Sequence, residues 1–357
     1  MIRLLAELDD AAQQARFTAT PLASLPAPVE VTLDGVTLAR LPAGDAGAQT
    51  LALPFEALRD IRRGDIAPRT EGAPLPPDAL QCEGAFFEAL SLPDPARFYE
   101  KVQINHTRYA SPLLLEVGAR CAHERFAQDP LARAAALTIL AHRHIERLVP
   151  EPAPTEAARI AWLLQQARPI VIRAWRRLPA HVPNAPRPTW QEVRWAVSLA
   201  TVAGLLHMAG RNYSAAREMF ALPRHCLHHV ALSKVSALNM VSCCFLHGVL
   251  CHMLGDAQAA RGSLETGIEG VKPVVRAQDL MTNVWTIGDV VNVLRVARQC
   301  FIARERLGLV PPTEGSVPEL DAGAVFTLDE LVGHVPVMAR NGLVPRLRNH
   351  IRRHGGQ

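Results

Sequence analysis

The stretch that decides the fold is HGVLCHMLGDAQAARGSLETGIEG, residues 247–270. Its pattern is that of two helices joined at Gly255-Asp256. Small residues, Gly248 and Ala260 among them, fall where two packed helices must come close, and the larger Leu264 lies one turn from Ala260. The stretch therefore predicts a helical hairpin.

The same pattern occurs once more upstream, at Gly204, Ala216 and Phe220. Each of these residues precedes its counterpart by 44 positions, the counterparts being Gly248, Ala260 and Leu264. A repeated helical hairpin cannot bury its apolar face alone, so it stacks on neighbours and leaves a concave surface for a partner. The pattern therefore indicates binding rather than chemistry.

Residues 195–273 resemble the tetratricopeptide repeat family, whose pattern has a small residue in the middle of the first helix and a Gly-Asp turn. Pro273 lies where that family tends to place its closing proline, and Tyr213 takes the family's aromatic position in the upstream copy. Three features depart from the family. Its period is shorter than 44 residues, Cys244 stands where an aromatic residue is expected, and the chain has no convincing third copy.

The resemblance implies a groove for a peptide or a helix of another protein, because the first helix of each such hairpin lines the concave face. The polar residues of these first helices are the expected partner contacts: Arg194, Ser198, His207, Asn239 and His252. Two repeats are fewer than the roughly three usually needed for independent stability. Further helices, from the same chain or from a second subunit, must therefore cap them.

Length and composition are those of a globular protein. The chain has 357 residues, enough for two domains, with 49% hydrophobic and 20% charged residues. Aromatic residues make up only 5%, which favours helices packed through small and aliphatic side chains over a sandwich or barrel. The net charge of +4 is too small by itself to imply nucleic acid as a partner.

Cysteine usage and the N-terminus predict a cytoplasmic protein. The seven cysteines include no CxxC pair and mostly lie in apolar stretches, as free thiols in a reducing compartment do. Acidic residues follow the short apolar patch at the N-terminus, unlike a secretory signal. Ser236–Leu254 carries no Asp, Glu, Lys or Arg and is near the length of a membrane span, but its polar residues favour a buried central helix.

The predicted fold class is mainly α, with a helical-hairpin repeat region and a small N-terminal module that contains a β-hairpin. Residues 1–17 are interpreted as an amphipathic helix, and Asp34-Gly35 predicts the turn of a hairpin within residues 28–41. The predicted division of the chain is into an N-terminal module and linker, a helical region, the repeat region and a last helix with a basic tail: 1–80, 81–180, 189–308 and 325–357.

Capping signals mark two helix starts. Thr189 with Glu192 forms a capping box that opens the repeat region, and Thr327 with Glu330 opens the last helix. Pro169 is expected to kink or split the helix that precedes the repeats.

Histidines and cysteines crowd residues 225–252 and suggest an alternative function as a metal protein or enzyme. His247 and Cys251 are four residues apart, hence on one helix face, and His225 and Cys226 would approach them if the intervening segment folds back. No established zinc-ligand spacing is present, and Cys251 also fits a packing position. Packing is the preferred interpretation, and no cofactor is expected.

The C-terminal tail carries a second alternative, association with nucleic acid. No acidic residue follows Glu330, and arginines accumulate that could hold phosphates: Arg346, Arg348, Arg352 and Arg353. A basic terminus that keeps the chain soluble, or one that meets an acidic protein, explains the tail equally well. The chain lacks a glycine-rich phosphate loop and a GxSxG elbow, so the preferred function is a non-catalytic adaptor or scaffold.

Overall fold

A computed structural model describes residues 1–70, 73–91, 94–95, 111–149, 151–178, 187–229, 236–272, 287–311, 328–336 and 338. The chain divides into two compact units, Met1–Arg143 and His144–Gln357. The protein is mostly helical, with a small β module at its N-terminus. The four residue ranges expected from the sequence stay a prediction.

The first unit contains two four-stranded sheets. The strands are β1 (Ile2–Asp9), β2 (Gln14–Pro21), β3 (Val29–Leu33), β4 (Val36–Leu41), β5 (Gln49–Pro54), β6 (Ile66–Thr70), β7 (Ala73–Pro74) and β8 (Leu80–Glu83). One sheet has the order β5-β2-β1-β8 and the other the order β4-β3-β6-β7. All neighbouring pairs are antiparallel except β1 with β8.

The helix expected over residues 1–17 is wrong, because this segment forms β1 and β2. Ile2, Leu4 and Ala6 are buried while the residues between them face outward or are half-buried, and residues 15, 17 and 19 repeat this alternation. A period of two buries one face of a strand and would scatter the same residues around a helix. Gln13, with φ +53°, and Asp9, whose Oδ1 accepts from Ala12 N at 2.9 Å, make the turn.

The turn predicted at Asp34-Gly35 is confirmed, since both residues have positive φ between β3 and β4. The Asp34 carboxylate also accepts hydrogen bonds from four successive backbone N–H groups, those of residues 62–65, at 2.7–3.2 Å. Burial raises the pKa of Asp34, but these hydrogen bonds outweigh it and lower the pKa. One side chain therefore joins the hairpin to the loop before β6.

Four helices complete the described part of the first unit: α1 (Phe55–Leu58), α2 (Ala85–Leu90), α3 (Pro112–Arg125) and α4 (Pro130–Glu146), which ends just beyond it. Phe17 of β2 packs against Phe86 of α2 with ring centroids 5.4 Å apart, and the same core continues to Val117 of α3. The core of the β module therefore includes helical residues beyond position 80.

The described helices of the second unit are α5 (Pro154–Arg177), α6 (Trp190–Ala209), α7 (Tyr213–His225), α8 (Ala237–Met253), α9 (Ala257–Glu269), α10 (Ile287–Arg306) and α11 (Leu328–Gly333). The capping box at the start of α6 is confirmed, because Glu192 N donates to Thr189 Oγ1 and Thr189 N donates to the Glu192 carboxylate. Helix α5 runs through Pro169 as one element. Thr327, the N-cap expected for the last helix, lies outside the described residues.

The two predicted hairpins, α6–α7 and α8–α9, are present. Individual turn hydrogen bonds of the first hairpin recur 44 residues later in the second. Asn212 N donates to His207 O and Asp256 N donates to Cys251 O, both at 2.8 Å. Each of these two N-cap side chains then accepts from the backbone N–H three residues on. The hairpins pack on each other, α5 packs against the first and α10 against the second. Helices of the same chain therefore flank the pair on both sides.

Helices α6 and α8 are almost wholly enclosed. Every residue from Val193 to Leu206 except Ser198 is buried, and so is every residue from Met240 to Cys251. Helix α8 matches the uncharged segment at residues 236–254, which confirms the expectation of a buried central helix. In the part of the chain described here, no helix has both the length and the apolar character that crossing a membrane requires.

Candidate functional site

A continuous line of polar contacts crosses four helices of the second unit, and we call it the Arg224 chain. It links Trp175 of α5, His225 and Arg224 of α7, Ser263 of α9 and His247 of α8. The Trp175 and His225 rings meet edge to face with centroids 4.8 Å apart. Arg224 Nη2 donates to His225 Nε2 at 2.6 Å, and Arg224 Nη1 donates to Ser263 Oγ at 2.7 Å. The chain thus runs from an exposed indole to a buried imidazole.

Ser263 fixes the tautomer of His247. Its Oγ donates its single hydrogen to Ala259 O at 2.6 Å and accepts from Arg224. Nδ1 of His247, 2.7 Å from the same oxygen, must therefore carry the hydrogen and donate it. Cys251 Sγ lies 3.4 Å from this nitrogen. The hydroxyl of Ser263 is thereby saturated, with two donors and one acceptor around it.

Positive charge surrounds His247. Burial and the charges of Arg224, Arg217 and His225 together lower its pKa to about 3, while Asp256 opposes them. His247 is therefore neutral at physiological pH. Arg224 and Arg217 form no ion pair with a carboxylate of any described residue: Arg224 contacts the serine and histidine above, and Arg217 contacts the Cys251 thiol. Among the described residues, the two guanidinium groups of the cluster form no ion pair, and Asp256 is a carboxylate that acts on His247 and Cys251.

The outer end of the Arg224 chain is a mixed apolar and basic surface, which we call the Trp175 face. It comprises five exposed residues of α5 and the end of α7, Arg168, Ile172, Trp175, Arg176 and His225, together with the half-buried Arg224. Ile172 is 41% exposed and Trp175 39% exposed. Helices α5 and α7 run side by side here. Trp175 contacts His225 near the C-terminal ends of the two helices, and about two turns earlier the charges of Arg168 and Glu218 both shift the pKa of His207.

The five partner contacts expected from the sequence lie on α6 and α8. Arg194 is buried, with its guanidinium 4.6 Å from the Trp195 ring centroid, and the other four residues are half-buried. Ser198 and His207 are nine residues apart, so they face opposite sides of α6, about 180° apart. Burial lowers the pKa of His207; Arg168 lowers it further, and Glu218 raises it. His207 therefore has a charged neighbour on α5, Arg168.

Of the four suggested metal ligands, His225 and His247 are linked through Arg224 and Ser263, and Cys251 lies beside His247. His247 and Cys251 are neighbours on α8, and His225 Nε2 accepts from Arg224. Cys226 is buried next to Cys243, and burial raises its pKa to about 12. Among the described residues, no three His, Cys, Asp or Glu side chains converge to hold a metal ion. The arginines of the tail, from Arg346 onward, lie outside the described residues.

Sequence reasoning did not single out Arg224, Ser263 or Arg217. A signal exists in the comparison of the two hairpins, because Ser263 and His247 stand where the first hairpin has Met219 and Ala203. Polar residues that replace apolar ones at buried positions of a repeat indicate a contact specific to one copy. Protein-family models, curated proteins and solved structures were compared with this chain, and none of them matches it.

Proposed function

We propose that this protein is a non-catalytic adaptor that binds a segment of another protein on its stack of helical hairpins. The observation that carries the proposal is the 44-residue repeat, in which the two hairpins share helix ends, caps and turn hydrogen bonds. Stacked hairpins of this kind present extended surfaces built from neighbouring helices, and such surfaces suit peptide or helix binding.

The finer assignment, a tetratricopeptide-like repeat, belongs to the same proposal. The close approach of the small residue in each first helix supports it. A Cβ atom on Gly204 would overlap with Cε1 of Phe220, and one on Gly248 would lie 2.7 Å from Cγ of Leu264. In both hairpins the larger side chain thus packs directly on the glycine, as in the family that residues 195–273 resemble.

Affinity capture with the full-length tagged protein tests the adaptor function. Nuclease and chelator are applied as separate treatments, and we expect a stoichiometric protein partner to survive both. A partner lost on nuclease treatment would instead indicate nucleic acid and the basic tail, and one lost on chelation would indicate a metal site. Capture of no protein by the wild-type chain would contradict the proposal.

A double variant, His207→Ala with Asn239→Ala, tests the residues expected from the sequence. Both side chains are half-buried polar groups on first helices, α6 and α8. Capture should weaken while the melting temperature stays unchanged. A variant that loses its fold along with its partner would show that these residues are part of the core.

A further inference from the structure

We infer that the bound segment is acidic, carries an apolar side chain and binds across the Trp175 face. This inference rests on the proposed adaptor function and adds the chemistry of the partner. It also places the contact on the outer helices α5 and α7 rather than on the enclosed helices α6 and α8.

The apolar part of the face is a pair of large side chains that the fold leaves in water. Ile172 and Trp175 are three residues apart on α5, so they lie on one side of the helix, and Arg168 and Arg176 lie four residues either side of Ile172. Tryptophan and arginine are the residues most enriched at the energetic centres of protein interfaces. An aliphatic or aromatic side chain of a partner would cover the exposed indole.

The positive charge of the Trp175 face favours an acidic partner. Helix α5 has no acidic residue after Glu156, and Arg168, Arg176 and Arg224 form no ion pair with a carboxylate in the described ranges. Glu192 is paired with Arg177 at 2.9 Å, and Glu218 and Arg168 shift the pKa of His207 in opposite directions. Arg224 already gives N–H groups to two neutral acceptors, so its orientation is fixed, and it pairs with no carboxylate among the described residues. A carboxylate of a bound partner would form ion pairs with these arginines.

The face fits a polypeptide better than single-stranded nucleic acid. Strands of nucleic acid are held by several aromatic platforms on which successive bases stack. Here one tryptophan adjoins a branched aliphatic side chain, and the T-shaped contact with His225 already occupies part of the indole.

A titration followed by NMR on the full-length protein tests the inference. The probe is a capped helical peptide of roughly 18 residues built from Glu, Ala and Leu, with its Leu residues on one side. A matched probe has Gln in place of Glu, and an oligo(dT) of about 15 nucleotides is the third ligand. The readout is the indole N–H signal of Trp175, assigned by its loss in Trp175→Phe.

The acidic peptide should shift the Trp175 signal, and the Gln peptide should need at least about tenfold more ligand. Arg224→Gln and Arg176→Gln should each weaken binding by a similar factor, Arg176 being an exposed residue. Arg295→Gln, which removes an exposed charge from α10, should leave binding unchanged. Arg176→Gln keeps the test valid if Arg224→Gln perturbs the hairpins.

Equal binding of the two peptides would overturn the inference, as would binding of oligo(dT) at lower concentration with the same Trp175 shift. The capture experiment separates the two proposals. A protein partner held equally well by wild type and by Arg176→Gln would overturn the binding of an acidic segment at the Trp175 face and leave the adaptor function standing. Absence of any captured partner would remove the adaptor function itself.

Discussion

Arg211 occupies, in the turn of the first hairpin, the left-handed position that Gly255 occupies in the second. Their φ angles are +58° and +84°, and each backbone N–H donates at 3.0 Å to the carbonyl three residues earlier. Glycine adopts this conformation without strain, whereas a residue with a Cβ atom pays roughly 1–2 kcal/mol. The first turn therefore stores strain that the second does not.

Replacing Arg211 with Gly should raise the free energy of unfolding by about 1 kcal/mol, because the backbone strain is relieved. Urea denaturation followed by circular dichroism measures the change. Gly255→Ala is the matched control and should lower stability by a similar amount. Lower stability of Arg211→Gly would show that the contacts of the Arg211 side chain outweigh the strain of its backbone.

The same pair shows how far the sequence predicts the repeat. Gly255-Asp256 marks the second turn clearly, whereas the first copy has Gly210 one residue early and Arg211 at the left-handed position. The helix spacing survives in the structure because Asn212 and Asp256 form the same N-cap. The two caps, and not the glycine, keep the two turns alike.

Gly248→Ala should destabilise the protein by about 1–3 kcal/mol, because the new methyl group would enter the space of Leu264, which is fully buried. Gly262→Ala is the control within the same hairpin. Nothing lies within 4 Å of a Cβ atom there, so helix propensity should raise stability by about 0.5–1 kcal/mol. Thermal or urea denaturation distinguishes the two signs.

Combining Gly248→Ala with Leu264→Ala tests the contact itself. Leu264→Ala alone should cost about 2–5 kcal/mol, through the cavity it leaves. The double variant should cost less than the sum of the two single changes, because the added methyl group fills part of that cavity. Strict additivity would show that the two residues do not share the contact.

The N-terminal strands were mistaken for a helix because of their amino-acid composition. The residues between β1 and β2 include Ala11, Ala12 and Gln13, which favour helices, and no glycine or proline marks the turn. The alternation of buried residues along β1 was nevertheless visible, and it decides the structure because both strands bury one face on the aromatic core around Phe17. The Asp34-Gly35 hairpin was predictable because its turn residues have the required chemistry.

Glu156→Gln should lower the stability of the protein at neutral pH by roughly 1–2 kcal/mol, less than the full pKa shift implies because solvent screens the half-buried carboxyl. Oε1 of Glu156 lies 2.6 Å from Nδ1 of His144, which is fully buried. Burial raises the pKa of Glu156, but the bond to His144 and the charges of Arg147 and Arg159 outweigh it and lower the pKa to about 2.

The pH dependence identifies this mechanism. Because the pKa of Glu156 is lower in the folded state, its contribution is complete above about pH 4.5, the unfolded value, and is lost as the pH falls towards 2. The difference between wild type and Glu156→Gln should therefore narrow below pH 4.5 in denaturant titrations. A difference that stays constant to low pH would assign the loss to packing.

The Arg224 chain could not be predicted from local sequence. Arg224, His247 and Ser263 come from three helices, and their meeting depends on how α7 packs against the second hairpin. The sequence placed His247 and Cys251 on one helix face correctly, yet the partners there are a serine and arginines. Positive charges make this neighbourhood unfavourable for a cation, and they add to burial in lowering the pKa of His247.

The lowered pKa of His247 predicts that the stability of the protein depends on pH between pH 7 and pH 3. His247 stays neutral in the folded state down to a pKa of about 3, whereas the unfolded chain takes up the proton near pH 6.5. The stabilising contribution of neutral His247 is therefore fully present above pH 6.5. The free energy of unfolding should fall by about 2 kcal/mol between pH 7 and pH 5 because of this residue.

His247→Asn, whose amide can still donate to Ser263, should show a smaller slope of unfolding free energy against pH. His252→Asn is the control, since His252 is less buried and lies outside the Arg224 chain. An unchanged slope in His247→Asn, together with an altered slope in His252→Asn, would show that the buried imidazole does not carry the acid sensitivity of the hairpins.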